Sequence, residues 1–229
     1  MFNKIYLMKS ILVILSTLVL SSGLAQDNCS SLYPTTEGQT LVIHQLDKRG
    51  RLETIIDYTI TDVHSGGMTI NTEIKDKRGR SITQSSFDAI CEGGVTRLDP
   101  TSLMSAQIRQ YEGMEYSISG DDIFYPNSLS VGQELPDASI EMRVDAGVMA
   151  ITTTITMTDR KVIALETLTT AAGTFECYVV TYTNSVSVGG MRQNLTAKQW
   201  IAEGVGMIKE ESYKANGNLM TQSVLHEIR

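Results

Sequence analysis

Histidine is scarce in this chain, with three in 229 residues, and the shortage narrows the chemistry open to it. His44, His64 and His226 show no short metal-ligand spacing, and histidine is the side chain most often used for general acid–base work. The sequence also lacks a Gly-x-Ser-x-Gly nucleophile elbow, a zinc-protease His-Glu-x-x-His and a glycine-rich phosphate loop before a helix. The adjacent carboxylates Asp121-Asp122 and Glu210-Glu211 do not make a shared-proton pair, because neighbours on a strand point to opposite faces. Turn and solvent-facing roles are expected for them. No catalytic residue, metal ligand or cofactor is therefore expected, and the chain reads as non-enzymatic.

Basic charge is also in deficit, with 19 Lys and Arg against 26 Asp and Glu. This balance excludes nucleic acid as an expected partner, because phosphate binding depends on cationic side chains. It also disfavours adhesion to an anionic membrane. Long apolar runs are absent after the first residues. There, Lys4 and Lys9 flank the start of an apolar stretch, Ile11 to Leu20, followed by small residues up to Ala25. That order reads as a secretory signal with cleavage between Ala25 and Gln26. The stretch is about half the roughly 20 residues needed to span a bilayer, so no transmembrane segment is expected in the mature chain. Removal takes away two lysines and no acids, so the formal charge of −7 becomes about −9. Cys29 follows Gln26, Asp27 and Asn28, which is not the small apolar approach of an acylated cysteine. The expected product, spanning residues 26–229, is soluble and periplasmic or secreted.

The three cysteines permit one disulfide and one spare thiol in an oxidising compartment. Sequence alone leaves three pairings open. Cys29 with Cys91 is favoured, because it would tie down a loose N-terminus beside the turn Glu92-Gly93-Gly94, whereas Cys177 reads as mid-strand core.

What the chain has in quantity is alternation. Met68, Ile70, Thr72 and Ile74 share one face while Thr69, Asn71, Glu73 and Lys75 share the other. Ile140, Met142 and Val144 oppose Glu141, Arg143 and Asp145 in the same way. The breaks carry hairpin chemistry, with Asp47-Lys48-Arg49-Gly50 and Asp76-Lys77-Arg78-Gly79 the same turn written twice. The expected fold is all-β, with antiparallel curved sheets, barrel-like or sandwich, of about ten to twelve strands. Asp99-Pro100 and the spacing of Leu103, Ile108 and Tyr111 predict one short helix over 101–111. It lies in a connecting segment, 99–124, between halves at about 33–98 and 125–229. The halves start alike. Tyr33-Pro34 leads to Glu37-Gly38-Gln39, and Tyr125-Pro126 leads to Val131-Gly132-Gln133, which suggests a degenerate duplication.

Several of these motifs together resemble a family of bacterial exported proteins, the TapB-like group, related to domains of unknown function. The likeness covers nearly all of the mature chain. It rests on Tyr33-Pro34 with Glu37-Gly38, Cys91-Glu92-Gly93-Gly94, Gly120-Asp121-Asp122, Ala172 to Tyr178 and, most distinctively, Trp200 to Lys209. The resemblance implies an all-β, curved-sheet fold outside the cytoplasm and supplies no catalytic residue.

One compositional feature points to a ligand. Met142, Met149, Met157, Met191, Met207 and Met220 fall in the C-terminal half, and flexible thioethers suit an adaptable apolar surface. They are the expected lining of a groove for a hydrophobic ligand such as a lipid. An envelope structural or protein-interaction module is the alternative, with an unrecognised hydrolase behind it.

Overall fold

The computed structural model describes residues 29–99, 114–145, 147 and 149–229. The expected signal sequence and the Ala25/Gln26 cleavage site lie outside the described residues, as does the expected helix over 101–111. Before that gap, β1 (Thr40–Asp47), β2 (Leu52–His64), β3 (Gly67–Asp76), β4 (Ser81–Glu92) and β5 (Val95–Leu98) form a meander. After it come β6 (Glu115–Gly120), β7 (Ile123–Tyr125), β8 (Ala138–Asp145) and β9 (Ala150–Thr170). The last four are β10 (Gly173–Val188), β11 (Met191–Ala202), β12 (Gly206–Lys214) and β13 (Leu219–Ile228).

These thirteen strands form one antiparallel sheet in the order β6-β8-β9-β10-β11-β12-β13-β1-β2-β3-β4-β5-β7. The all-β expectation holds, and two details are corrected. Among the described residues there are thirteen strands rather than ten to twelve, in one open sheet rather than a sandwich or separate sheets, and no helix occurs among them. Strand number was underestimated because β5 and β7 have four and three residues, too few for an alternating pattern to register. A single sheet results because β1 pairs along its length with β13, which joins the N-terminal meander to the C-terminal one.

The edge strands β6 and β7 are separated only by Asp121 and Asp122. The sheet must therefore curl until its two edges meet at those residues. Curling is helped by bulges in β1, β2, β9–β10 and β11–β12 pairings, which bend a strand and add twist. Asp159 in β9 has φ 56°, the one left-handed residue other than glycine among the described residues. It sits beside the irregularity that lets the long β9–β10 hairpin bend.

The two Tyr-Pro segments are held alike. Gly38 N donates to Ile60 O (2.8 Å) and Ile60 N to Gln39 O (3.0 Å); Gly132 N donates to Val162 O (2.8 Å) and Val162 N to Gln133 O (2.9 Å). Tyr33 and Tyr125 meet edge to face with ring centroids 5.2 Å apart. A disulfide joins Cys29 to Cys91 across a sequence separation of 62, while Cys177 is free and buried. In the chain-entropy account, closing a loop of that length stabilises by about 4 kcal/mol.

The outer face of β1–β4 is polar: Asp57 pairs across strands with Glu73, Glu73 with Gln84, and Thr59 with Asn71. Lys75 and Arg229 both reach Asp57 Oδ2, at 2.8 and 3.0 Å. His44 of β1 and His226 of β13 stack on each other, centroids 3.8 Å apart. Partial burial, then the neighbouring His226, lower the His44 pKa, against a smaller raising effect of Asp57.

Two predictions follow from this framework. Gly67 has φ 151°, and a Cβ there would lie 2.1 Å from the Ala89 carbonyl oxygen of β4. Gly67→Ala therefore costs roughly 2–4 kcal/mol from strain and displaced pairing, read as a lower urea midpoint at unchanged m-value; an unchanged midpoint contradicts the close approach. For His44, a folded-state pKa below the unfolded value of about 6.5 means the folded chain takes up the proton less readily. Stability is then full above that value and falls as pH drops through the lowered folded pKa. Thermal melts from pH 7.5 to 5 should show a steeper loss for the wild type than for His44→Gln, and parallel curves would show that the stacked pair contributes nothing.

Candidate functional site

Side chains that alternate along β1 to β4 line up across the sheet. Leu41, Tyr58, Thr72 and Ser85 form one cross-strand row, and Ile60, Ile70 and Phe87 form another. Ile43, Ile56 and Ile74 form a third. Because the sheet curls, this face looks toward Gln199 and Ile201 of β11 and Met207 of β12. Tyr33 and Pro34 complete the enclosure with Tyr125 of β7. Together they bound a cavity of about 330 Å³ with walls that are mainly apolar, at the small end of the roughly 300–1,000 Å³ typical of small-molecule sites.

Few polar groups reach the cavity. Burial raises the Tyr33 pKa well above its ordinary value, with Tyr125 and Tyr58 adding to the effect. Burial, then the charge of Glu210, pushes Tyr58 up to about 12. Burial also raises Tyr125. These phenols are thus neutral hydrogen-bonding groups across the physiological range.

Two ions lie just behind the wall. Glu210 of β12 stands opposite Gln199 of β11. Its Oε2 accepts from Gln199 Nε2 (3.1 Å) and from the Tyr182 hydroxyl (2.7 Å). Burial raises the Glu210 pKa, opposed by those two hydrogen bonds. Burial, then Glu210, also raises Tyr182. Arg160 of β9 is 3% exposed. It donates to the Pro136 and Phe124 carbonyls at 2.7 and 3.3 Å, lies 5.9 Å from the Tyr125 ring centroid, and leaves its Nε without an acceptor.

The structure disperses the six methionines of the sequence reading. Met207 lines the cavity. Met142 is buried in a separate cluster with Ile140 and Val144, and Met157 packs beside Val162 and Tyr182. Met149 and Met191 are 69% and 78% exposed, and the Met220 sulfur lies 3.8 Å from Gln193 Nε2. His64 ends β2, and its Nδ1 accepts from Gly66 N at 3.2 Å. Asp121 accepts from Ser139 Oγ (2.9 Å), and Asp122 lies 3.6 Å from Arg97.

Sequence reasoning missed Glu210, which was expected in a turn or solvent role beside Glu211. The two do point to opposite faces. Glu211 accepts from Tyr213 and pairs with Lys209 at 2.7 Å, while Glu210 faces inward. The signal was present in the alternation of β12, where Ile208 and Glu210 share a parity opposed to Lys209 and Glu211. The cavity-lining rows of β1–β4 were legible as apolar alternation, but nothing in that pattern distinguished a filled core from an unfilled one.

Two solved structures share this fold. One is a protein from Bacteroides fragilis, proposed to be exported and described as having a YmcC-like fold. It is 21% identical with a TM-score of 0.68, covering 86% of this chain and 98% of that one. The other is a proposed lipoprotein from Parabacteroides distasonis, 23% identical with a TM-score of 0.72, covering 88% of this chain and 99% of that one. No curated protein matches the chain. None of these matches is to an enzyme family, and neither neighbour comes with a stated ligand. A family model spans residues 36–225, and with it the whole sheet from β1 to most of β13: the chain belongs to the DUF3108-like family.

Proposed function

We propose that this chain is an exported binding protein that holds a small hydrophobic molecule in the cavity between β1–β4 and the β11–β12 hairpin. The observation that carries the reading is the cavity itself, apolar over most of its wall with a few tyrosine hydroxyls and one amide converging on it. That is the usual composition of a site that takes an apolar body and orients it by a few hydrogen bonds. Export, to a periplasmic or extracellular location, is supported by the signal-like first 25 residues and by the disulfide. A narrower kinship with the TapB-like group belongs to the same proposal and rests on Trp200 to Lys209.

A second reading, an envelope interaction module, is favoured by a different surface. Met149 and Ile151 near the β8–β9 turn and Val188 and Met191 at the β10–β11 turn are all exposed. The two turns lie together, because Gly189 N donates to Thr152 O at 3.1 Å. Met191→Gln separates the readings, since it alters that surface and leaves the cavity untouched.

The binding proposal is tested with the neutral dye Nile red. Wild type should bind it with a blue-shifted emission. Ser85→Phe, which places a ring into the cavity from β4, should weaken binding by about tenfold or more while far-ultraviolet circular dichroism stays β. Met191→Gln should bind as wild type does. Equal binding by Ser85→Phe and wild type, or no binding by wild type, would overturn the proposal.

A further inference from the structure

We infer that the cavity selects an uncharged amphiphile, one whose polar end is a hydroxyl, ester or carbonyl oxygen, and turns away both fatty-acid anions and alkylammonium cations. The inference rests on the binding reading above and specifies the class of ligand. It follows from what faces the cavity and what stands one hydrogen bond behind it.

The groups on the wall are neutral. Tyr33, Tyr58 and Tyr125 present phenols, and Gln199 presents an amide, among Ile, Leu and Phe side chains. A phenol both donates and accepts, so these groups satisfy an oxygen without any exchange of charge. An ionic head group placed there would lose its water and gain no counter-ion, a cost that neutral hydrogen bonds do not repair.

Both signs of charge behind the wall are already committed. Glu210 is reached through Gln199 and is held by that amide and by the Tyr182 hydroxyl. Its carboxyl group has no cation among these partners, and in its ionised form it opposes an incoming carboxylate or phosphate. Arg160, behind Tyr125, is held by the Pro136 and Phe124 carbonyls, which are also uncharged. Its guanidinium opposes an incoming ammonium. Glu210 and Arg160 both act on Tyr125, so a ligand ion of either sign meets one like and one unlike charge, and the pair does not repay the hydration the ion loses. A neutral head group meets neither penalty.

The test is displacement of Nile red from the full-length mature protein at pH 7.5 by three ligands of equal chain length: 1-decanol, decanoate and decylammonium. Decanol should displace the dye at a concentration about tenfold or more below either ion. In Glu210→Gln the ratio of the decanoate to the decanol concentration should shrink by at least about threefold. Displacement by decanoate or decylammonium at or below the decanol concentration would overturn the inference while leaving the binding reading intact. An unchanged decanoate disadvantage in a folded Glu210→Gln would overturn the assigned cause. Failure of Nile red and decanol alike to bind would remove the binding reading, and this inference with it. The wild-type comparison decides the question even if the variant does not fold.

Discussion

Two residues, Asp121 and Asp122, separate the strands that form opposite edges of the thirteen-stranded sheet. At about 3.3–3.6 Å of reach per residue, β6 and β7 are held close, and every strand between them must complete the turn. This covalent constraint gives the sheet an inside. One side of each strand then dries and the other stays wet, which is why Ile60, Ile70 and Leu98 are buried while Thr59, Asn71 and Arg97 face outward. It also brings Gln199 of β11 to the wall opposite Phe87 of β4, six places apart in the sheet order.

The interior so formed is not uniformly apolar. Glu210 and Arg160 sit inside with hydrogen-bond partners that carry no charge. Burying an ion costs several kcal/mol that neutral partners only partly return, so neither residue is there for stability alone. Apolar side chains of similar size would pack the same positions at lower cost. What the two residues add is an acid and a base behind the cavity wall, both acting on Tyr125, and that is a property of a site rather than of a core. Trp200, 6% exposed, shows a contrasting arrangement. Its indole donates to Glu166 at 3.0 Å, with Lys198 and Lys209 over its ring. Glu166 and Lys198 stay partly exposed, where ion contacts cost and contribute little.

Alternation made the strands legible because it is a local property of four to eight residues. Met68 to Lys75 and Ile140 to Asp145 appear as strands in the structure, and the paired Asp-Lys-Arg-Gly turns cap themselves, with Asp47 and Asp76 accepting from the backbone two and four residues on. Sheet count was not local. The β1–β13 pairing joins residues almost at opposite ends of the described chain, and no pattern within either strand announces its partner. The methionines lie apart for the same reason. Met207, Met149 and Met142 have similar chemistry, yet strand parity and distance from the curl place one at the cavity, one in solvent and one in a separate core.

The same hydrogen bonds that hold the two Tyr-Pro segments set two different side chains at matching places. Ile60 and Val162 occupy equivalent positions, each bonded to a Gly-Gln pair. Two residues earlier, Tyr58 stands opposite Leu41, while Arg160 accepts at its carbonyl from Leu135. Where the first half places a phenol, the second places a guanidinium. The second half packs its interior with Leu32, Leu129, Leu135, Val162, Val180 and Ala197. Leu32 comes from the first Tyr-Pro segment and sits in the second half's core, and Gly204 of the β11–β12 turn donates to Ser31 O at 2.8 Å. The N-terminal segment is therefore spent on sealing one half, and its next residues, Tyr33 and Pro34, form the rim of the other.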